Sequence, residues 1–220
     1  MIRFKFISTC LFVGLSTFSG KTQNSGQLIF ADNFLKETVG KFPANWESNV
    51  IGEIVSARKE SGKWLKMHAG GTYVPFLPQN LPENFKVEFE FIYEALGDDY
   101  NTTEITIFSK KPGEAYDVAF PGSDGIKVFL ENFIVSYASY THEKLNDKLA
   151  KEYRSDIIQP DKKVEVSIQV LHQEINVYIN NKQLLTSRFT GSVEPFNTLR
   201  FHLWGSQAEP LISNLKITYL

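Results

Sequence analysis

Apolar and polar residues alternate at every second position along much of this chain. In residues 85–93, phenylalanine, valine and tyrosine alternate with lysine and glutamate, and the segments 163–170 and 175–179 follow the same two-residue period. Successive side chains of a β-strand point to opposite faces of a sheet, so this period predicts strands with one buried face and one solvated face.

Short polar connections between these segments predict hairpins. Residues 172–174 separate two alternating segments, which predicts an antiparallel pair. Asn180 and Asn181 tolerate left-handed turn geometry, and they predict a second hairpin that leads into residues 183–186. Together the three strands would form a meander.

Further strand candidates are spread over the rest of the chain and are separated by glycine and proline turns. Many short strands at nearly regular spacing are typical of an all-β sandwich or barrel. Only residues 141–153 have some helical character, and we expect one short helical or loop insertion there. The other predicted strands are 28–30, 51–57, 64–67, 72–76, 104–109, 116–120, 125–131, 133–140, 198–204 and 212–219.

The N-terminal segment has the features of a secretory signal peptide. Two basic residues precede an uncharged apolar stretch that ends in small residues near position 20. We therefore expect a signal peptide at 1–20, a polar linker at 21–26 and one domain at 27–220. The apolar stretch is too short for a transmembrane segment, and we expect none. The single cysteine, Cys10, lies in this leader, so we expect the exported domain to be stabilised by packing without a disulfide.

The charge balance excludes one class of partner. The chain has 23 basic and 25 acidic residues, for a formal net charge of −2. Without Arg3 and Lys5 of the leader the balance is 21 − 25 = −4. No basic surface of the kind that attracts phosphates is indicated, and we expect no nucleic acid partner.

Three carboxylates on one predicted strand are candidates for catalysis. Glu88, Glu90 and Glu94 share one parity and project from the same face, and a retaining glycosidase needs two carboxylates at close spacing. The alternative is a solvated strand face on which these glutamates form ion pairs with lysines of a neighbouring strand. We favour the solvated strand face, and we predict no catalytic residues.

Other catalytic and metal signatures are missing from the sequence. The four histidines are far apart, no Gly-x-Ser-x-Gly elbow occurs, and no thiol remains after removal of the leader. Four aspartates in predicted loops are candidates for a structural calcium site at the rim of a sandwich: Asp98, Asp99, Asp117 and Asp124. Paired aspartates in a turn also satisfy local backbone donors, so we predict no metal ligands and no other cofactor.

One strand combines an aromatic ring with hydrogen-bonding groups on its outward face. If the leucines and the phenylalanine of residues 198–204 point inward, then Arg200, His202 and Trp204 point outward together. A tryptophan beside polar groups is a suitable platform for a sugar ring, which offers apolar C–H faces and hydroxyls at once. The alternative is that a loop covers this face and buries Trp204.

Several segments resemble a known family of exported domains. The segment "ADNFLKETVGKFPANW" at 31–46 resembles the opening of concanavalin A-like/laminin G-like domains in exported proteins of Bacteroidetes-type bacteria, which often precede an OmpA-like domain. The later segments "GKWLKM", "LPENFKVEFEF", "VEVSIQVLHQEINVYINNKQLL" and "PLISNLKITYL" occur in the order that such domains show. The resemblance implies a two-sheet antiparallel jelly-roll, with the last strand beside the first.

The sequence therefore predicts an exported, non-catalytic β-sandwich that binds carbohydrate or another cell-surface ligand on a sheet face or at a loop rim. The alternatives are a glycoside hydrolase of laminarinase-like architecture and a structural envelope protein that mediates protein contacts. The location is expected to be periplasmic, outer-membrane-associated or secreted. The pattern does not indicate the oligomeric state or the identity of the ligand.

Overall fold

The computed structural model describes the predicted domain with a few gaps. The described residues are 25–57, 59–93, 102–122, 124–131, 134–141, 144–145, 151–154, 158–159, 161–189, 194–205 and 209–220. The predicted leader and most of the linker lie outside them. No α-helix occurs among the described residues, and hence none that could cross a bilayer.

The described residues contain sixteen strands, which form two antiparallel sheets. In chain order they are β1 (Leu28–Asp32), β2 (Trp46–Ser48), β3 (Glu53–Val55), β4 (Trp64–Lys66), β5 (Thr72–Pro75), β6 (Phe85–Ile92), β7 (Thr102–Phe108), β8 (Asp124–Glu131), β9 (Ile134–Thr141), β10 (Lys144–Leu145), β11 (Lys151–Arg154), β12 (Lys163–Leu171), β13 (Glu174–Ile179), β14 (Lys182–Arg188), β15 (Thr198–Trp204) and β16 (Leu211–Tyr219). Sheet A has the order β14-β13-β12-β6-β16-β4-β3, with β1 also paired to β16. Sheet B has the order β10-β9-β8-β7-β15-β5-β2, with β11 also paired to β9.

The predicted jelly-roll sandwich is confirmed, and so are its two hairpins. Both β12 with β13 and β13 with β14 are antiparallel pairs joined by two-residue turns. Those turns contain His172, Gln173, Asn180 and Asn181, all with positive φ. The last strand also pairs with the first, as the resemblance implied.

The core lies between the two sheets and is built from the inward residues of the alternating strands. Phe89 of β6 meets Phe201 of β15 edge to face across the interior, with ring centroids 5.2 Å apart. Trp46 of β2 also packs against Phe201, with ring centroids 6.0 Å apart. Edge-to-face aromatic pairs add to the stabilisation from burial alone. These rings hold the two sheets together directly beneath the outward residues of β15.

Three details of the predicted secondary structure differ in the structure. Residues 116–120 are not a strand, because their carbonyls accept hydrogen bonds from side chains of sheet B instead of from a neighbouring strand. The described parts of 141–153 are the short strands β10 and β11 and not a helix, because both add to the free edge of β9. The short strand β2 was missed, since three residues are too few to show a period.

Candidate functional site

The outward face of sheet B carries the polar residues predicted on β15. Leu199, Phe201 and Leu203 lie in the core, so the alternate residues of this strand project from the opposite face, as expected. Arg200 and His202 are buried on this face, whereas 45% of Trp204 is exposed. The three side chains therefore have different surroundings although they share one face.

Arg200 is completely buried and holds a loop against the sheet. Its Nη1 donates to the carbonyl oxygens of Tyr116 at 2.6 Å and Val118 at 2.7 Å. Its Nε donates to Thr106 Oγ1 at 3.1 Å, and its Nη2 donates to Glu104 Oε1 at 2.5 Å. The guanidinium is thus engaged by protein groups and has no exposed surface.

Glu104, one strand away on β7, is the centre of this polar cluster. Besides Arg200, its carboxylate accepts hydrogen bonds from Thr106 Oγ1 at 2.6 Å, Lys127 Nζ at 3.2 Å and Trp204 Nε1 at 2.9 Å. Burial by itself would raise the pKa of Glu104, but the two cations and the hydrogen bonds outweigh it and lower the pKa below its usual range. The carboxylate is therefore ionised at neutral pH.

Lys127 of β8 is the second cation of the cluster. Its Nζ donates to the carbonyl oxygen of Ala119 at 2.5 Å and lies 4.8 Å from the ring centroid of Phe120, in cation–π geometry. Burial lowers the pKa of Lys127, and the charge of Glu104 opposes that shift. Like Arg200, this side chain joins Glu104 to the loop above it.

That loop, residues 110–122, covers one half of the face and is called the covering loop below. In addition to the contacts of the two cations, Tyr140 Oη of β9 donates to the carbonyl oxygen of Pro121 at 2.5 Å. The ring of Tyr140 packs on Phe120, with centroids 5.4 Å apart. Four loop carbonyls are therefore held by three side chains that project from the sheet.

Trp204 stands outside the covering loop and is fixed from two sides. Its indole N–H points to Glu104, and its ring meets the His202 ring edge to face with centroids 4.4 Å apart. His202 Nδ1 in turn forms a hydrogen bond with Thr72 Oγ1 at 2.7 Å. Burial, and next the charge of Arg200, lower the pKa of His202, which favours the neutral ring.

The accessible half of the face extends from Trp204 across three strands. Thr102 lies opposite Trp204, and Glu131 lies opposite Thr102 on the next strand. On the adjacent row, Phe129 lies opposite Glu104, and Ser136 lies opposite Phe129. All of these except Glu104 are at least partly exposed. We call this surface, formed by Trp204, Thr102, Phe129, Glu131 and Ser136, the accessible strip.

The catalytic candidates lie on the outer face of sheet A, on the other side of the sandwich. Glu90 pairs with Lys163 of the neighbouring strand at 2.9 Å and also accepts a hydrogen bond from Asn214 at 2.7 Å. Glu88 pairs with Lys86 at 2.8 Å. Each carboxylate is thus paired with an amino group, and Glu94 lies outside the described residues.

The calcium candidates do not form a cluster in the described part of the chain. Asp117 is exposed in the covering loop, Asp124 begins β8, and Asp98 and Asp99 lie outside the described residues. No group of three histidine, cysteine, aspartate or glutamate side chains suited to a metal ion occurs among the residues that are described.

One cleft lies on sheet A. It has a volume of about 560 Å³ and lies beside β1 and β16, where polar residues such as Asn33, Asn45 and Lys216 line it. No aromatic side chain lines this cleft. It therefore lacks the flat apolar surface that Trp204 offers.

Sequence reasoning identified β15 but missed Glu104 and Lys127, which complete the cluster. Both are charged residues at outward positions of predicted strands, so the alternation predicts the face of the sheet on which they lie. Their hydrogen-bond partners could not be predicted from the sequence, because Glu104 is 96 residues from Arg200 and 23 from Lys127. Only the strand order β15-β7-β8 brings the three together.

Solved structures share this fold at low sequence identity. The carbohydrate recognition domain of Emp47p aligns with a TM-score of 0.58 and 12% identity over 89% of this chain and 94% of that one. A Bacillus subtilis protein of unknown function with a galectin-like fold aligns with a TM-score of 0.57 and 11% identity over 89% and 97%. The carbohydrate-binding module CBM66 from Bacillus subtilis aligns with a TM-score of 0.51 and 13% identity over 79% and 95%.

These similarities show a galectin-like jelly-roll fold. No protein-family model and no curated protein sequence matches the chain.

Proposed function

We propose that this protein is an exported, non-catalytic module that binds carbohydrate on the accessible strip of sheet B. The observation that carries the proposal is Trp204, a large aromatic side chain that is 45% exposed although its indole is fixed by Glu104 and His202. A rigid, exposed ring loses little conformational entropy when a ligand stacks on it.

The neighbours of Trp204 suit a sugar. The apolar C–H face of a pyranose packs on an aromatic ring, while its hydroxyls need hydrogen-bonding partners nearby. Thr102 and Ser136 offer hydroxyls along the accessible strip, and Phe129 offers a second aromatic ring. The Emp47p carbohydrate recognition domain and the carbohydrate-binding module CBM66 support the same class of ligand by fold analogy.

A binding role also agrees with the state of the carboxylates. A retaining glycosidase needs a nucleophile and a proton donor about 5 Å apart that face the same substrate. Glu104 is saturated with donors and ionised, and Glu88 and Glu90 are paired with lysines on the opposite sheet. Glu104 does not have the environment of a proton donor, because such a group needs a raised pKa and the pKa of Glu104 is lowered.

Export is part of the proposal and rests on the sequence. The basic and apolar order of residues 1–20 and the resemblance to exported Bacteroidetes-type domains both support it. The ligand would then be a glycan, or another cell-surface molecule, outside the cytoplasm.

A glycan array with matched variants tests the proposal. We expect Trp204→Ala to weaken binding of the retained glycans by at least about tenfold, equivalent to about 1.4 kcal/mol of lost stacking. Phe76→Ala is the control, because Phe76 is also an exposed aromatic residue but lies after β5, outside the accessible strip. Wild-type protein that retains no glycan, or equal binding by the Trp204 variant, would contradict the proposal.

A further inference from the structure

Within the proposed binding function, on which this inference rests, we propose that Glu104 is a positioning residue that makes the accessible strip selective for uncharged sugars. Glu104 fixes the indole of Trp204 and at the same time withdraws both nearby cations from the surface. The ligand then meets the face of an aromatic ring and neither of the two cations that Glu104 binds.

The indole N–H of Trp204 is already engaged by the protein. Trp204 Nε1 donates to Glu104 Oε2 at 2.9 Å, so this donor is directed into the protein and away from a ligand. Glu104 is itself held by Arg200, Lys127 and Thr106. A carboxylate with that many donors has little freedom to turn, and the indole that it anchors is held in one orientation. What remains for the ligand is the ring face.

The two cations that bind Glu104 are buried. Arg200 has no exposed surface and Lys127 is 4% exposed, and both bind Glu104 and carbonyls of the covering loop. A ligand carboxylate on the accessible strip would therefore have no direct cation partner from these residues. Arg200 and Lys127 therefore stabilise the covering loop and do not contact the ligand.

One carboxylate of the accessible strip, that of Glu131, remains accessible. Glu131 lies two strands from Trp204, at about 10 Å given the usual strand spacing, and it is partly exposed. No ion pair of Glu131 is found within the described ranges. An acidic sugar stacked on Trp204 would be repelled by this carboxylate, whereas a neutral sugar would not.

The positioning role predicts a spectroscopic signature that needs no ligand. The chain has three tryptophans, and the other two, Trp46 and Trp64, are buried. In a ¹⁵N-correlated NMR spectrum we expect the indole N–H of Trp204, assigned with Trp204→Phe, to be shifted downfield and protected from exchange although the ring is exposed. Glu104→Gln should shift this resonance upfield and speed its exchange, because a neutral amide is a weaker acceptor.

Glu131→Gln is the matched control for that measurement. It removes one carboxylate from the same face but makes no contact with the indole, so the Trp204 resonance should stay in place. If Glu104→Gln does not fold, Trp204→Phe tests the same point: it keeps an aromatic ring but lacks the N–H that Glu104 holds. We expect Trp204→Phe to lose most of the affinity, and unchanged affinity would overturn the positioning role.

Ligand selectivity is tested with paired probes on the wild-type protein. The probes are gluco-, galacto- and manno-oligosaccharides and their C6-oxidised uronic acid counterparts. We expect binding of the neutral member of a pair at least about tenfold tighter, with less than about a twofold change in Kd when NaCl is raised from about 0.05 to about 0.5 M.

The outcomes separate this inference from the function that it rests on. Tighter binding of the acidic members at Trp204, with a strong salt dependence, would overturn the selectivity and leave carbohydrate binding intact. A Trp204 resonance that is the same in Glu104→Gln and wild type would overturn the positioning role. Absence of binding to every probe would overturn both the selectivity and the proposed function.

Discussion

Glu104 shows how one buried residue determines the properties of several others. Alone in the interior, its charge would be costly, since desolvation disfavours a carboxylate. With Arg200 and Lys127 beside it, the charge is retained and serves as the acceptor for Trp204. Loss of one member of such a buried network leaves the others uncompensated, so these residues act as a unit.

The protonation of two buried groups predicts how stability depends on pH. The folded pKa of His202 lies below its ordinary value of 6.5, so the unfolded chain binds a proton first as the pH falls. The folded pKa of Glu104 lies below its ordinary value of 4.5, so protonation of the unfolded chain again lowers the stability as the pH falls. We expect the free energy of unfolding to fall as the pH drops below about 6.5, and to fall further below about 4.5.

Urea denaturation at a series of pH values checks this expectation. His202→Gln retains a hydrogen-bonding group for Thr72 but does not titrate, so it should flatten the slope between about pH 5 and 7 while the acid limb due to Glu104 remains. A variant with the same slope as the wild type in that range would show that His202 is not responsible.

At the level of single elements, the covering loop depends on the glycine at its end. Gly122 has a φ of +70°, and a Cβ there would overlap the carbonyl oxygen of Ser109. Gly113, in the same loop, has a φ of +83° and open space around it. The two glycines therefore have the same backbone conformation but different surroundings.

This pair gives a prediction with an internal control. Gly113→Ala should cost only the left-handed strain of about 1 kcal/mol. Gly122→Ala should cost about 2 kcal/mol more, because the loop must move away from Ser109. Urea unfolding measures the cost, and trypsin cleavage of the Lys110–Lys111 bond should be faster in the Gly122 variant alone. Equal behaviour of the two variants would contradict the close approach that the structure shows.

Over the whole molecule, the site depends on the contact between the two sheets. Phe201 packs against Phe89 of sheet A and Trp46, and it lies between Arg200 and His202 on β15. The core therefore sets the position of the strand that carries the outward cluster.

Phe201→Ala tests this dependence. Removal of a buried phenylalanine ring should lower the free energy of unfolding by about 3–5 kcal/mol because it leaves a cavity between the sheets. Phe76→Ala, at an exposed position, should change it by no more than about 0.5 kcal/mol. Chemical denaturation measures both, and a loss below about 1 kcal/mol for Phe201→Ala would show that the core closes around the gap.

Much of the fold could be predicted because strands and turns are specified by residues that are close together in the chain. The alternation of residues 85–93 and the asparagines at 180 and 181 specify a strand and a turn without reference to the rest of the chain. The same alternation placed Arg200, His202 and Trp204 on one face. Residues 116–120 looked like a strand for the same reason, and that prediction was wrong because their hydrogen-bond partners are distant side chains.

The sequence by itself determined the all-β class and the side of the sheet on which each strand residue lies, because a side chain's face follows from its position in a period of two. The two-sheet arrangement was implied by the family resemblance. The tertiary structure decided which of those outward residues are accessible. Strand order places Glu104 and Lys127 beside Arg200, and the covering loop then closes over the cations and leaves Trp204 exposed. Accessibility depends on what lies above a face, and that is set by contacts between residues far apart in the chain.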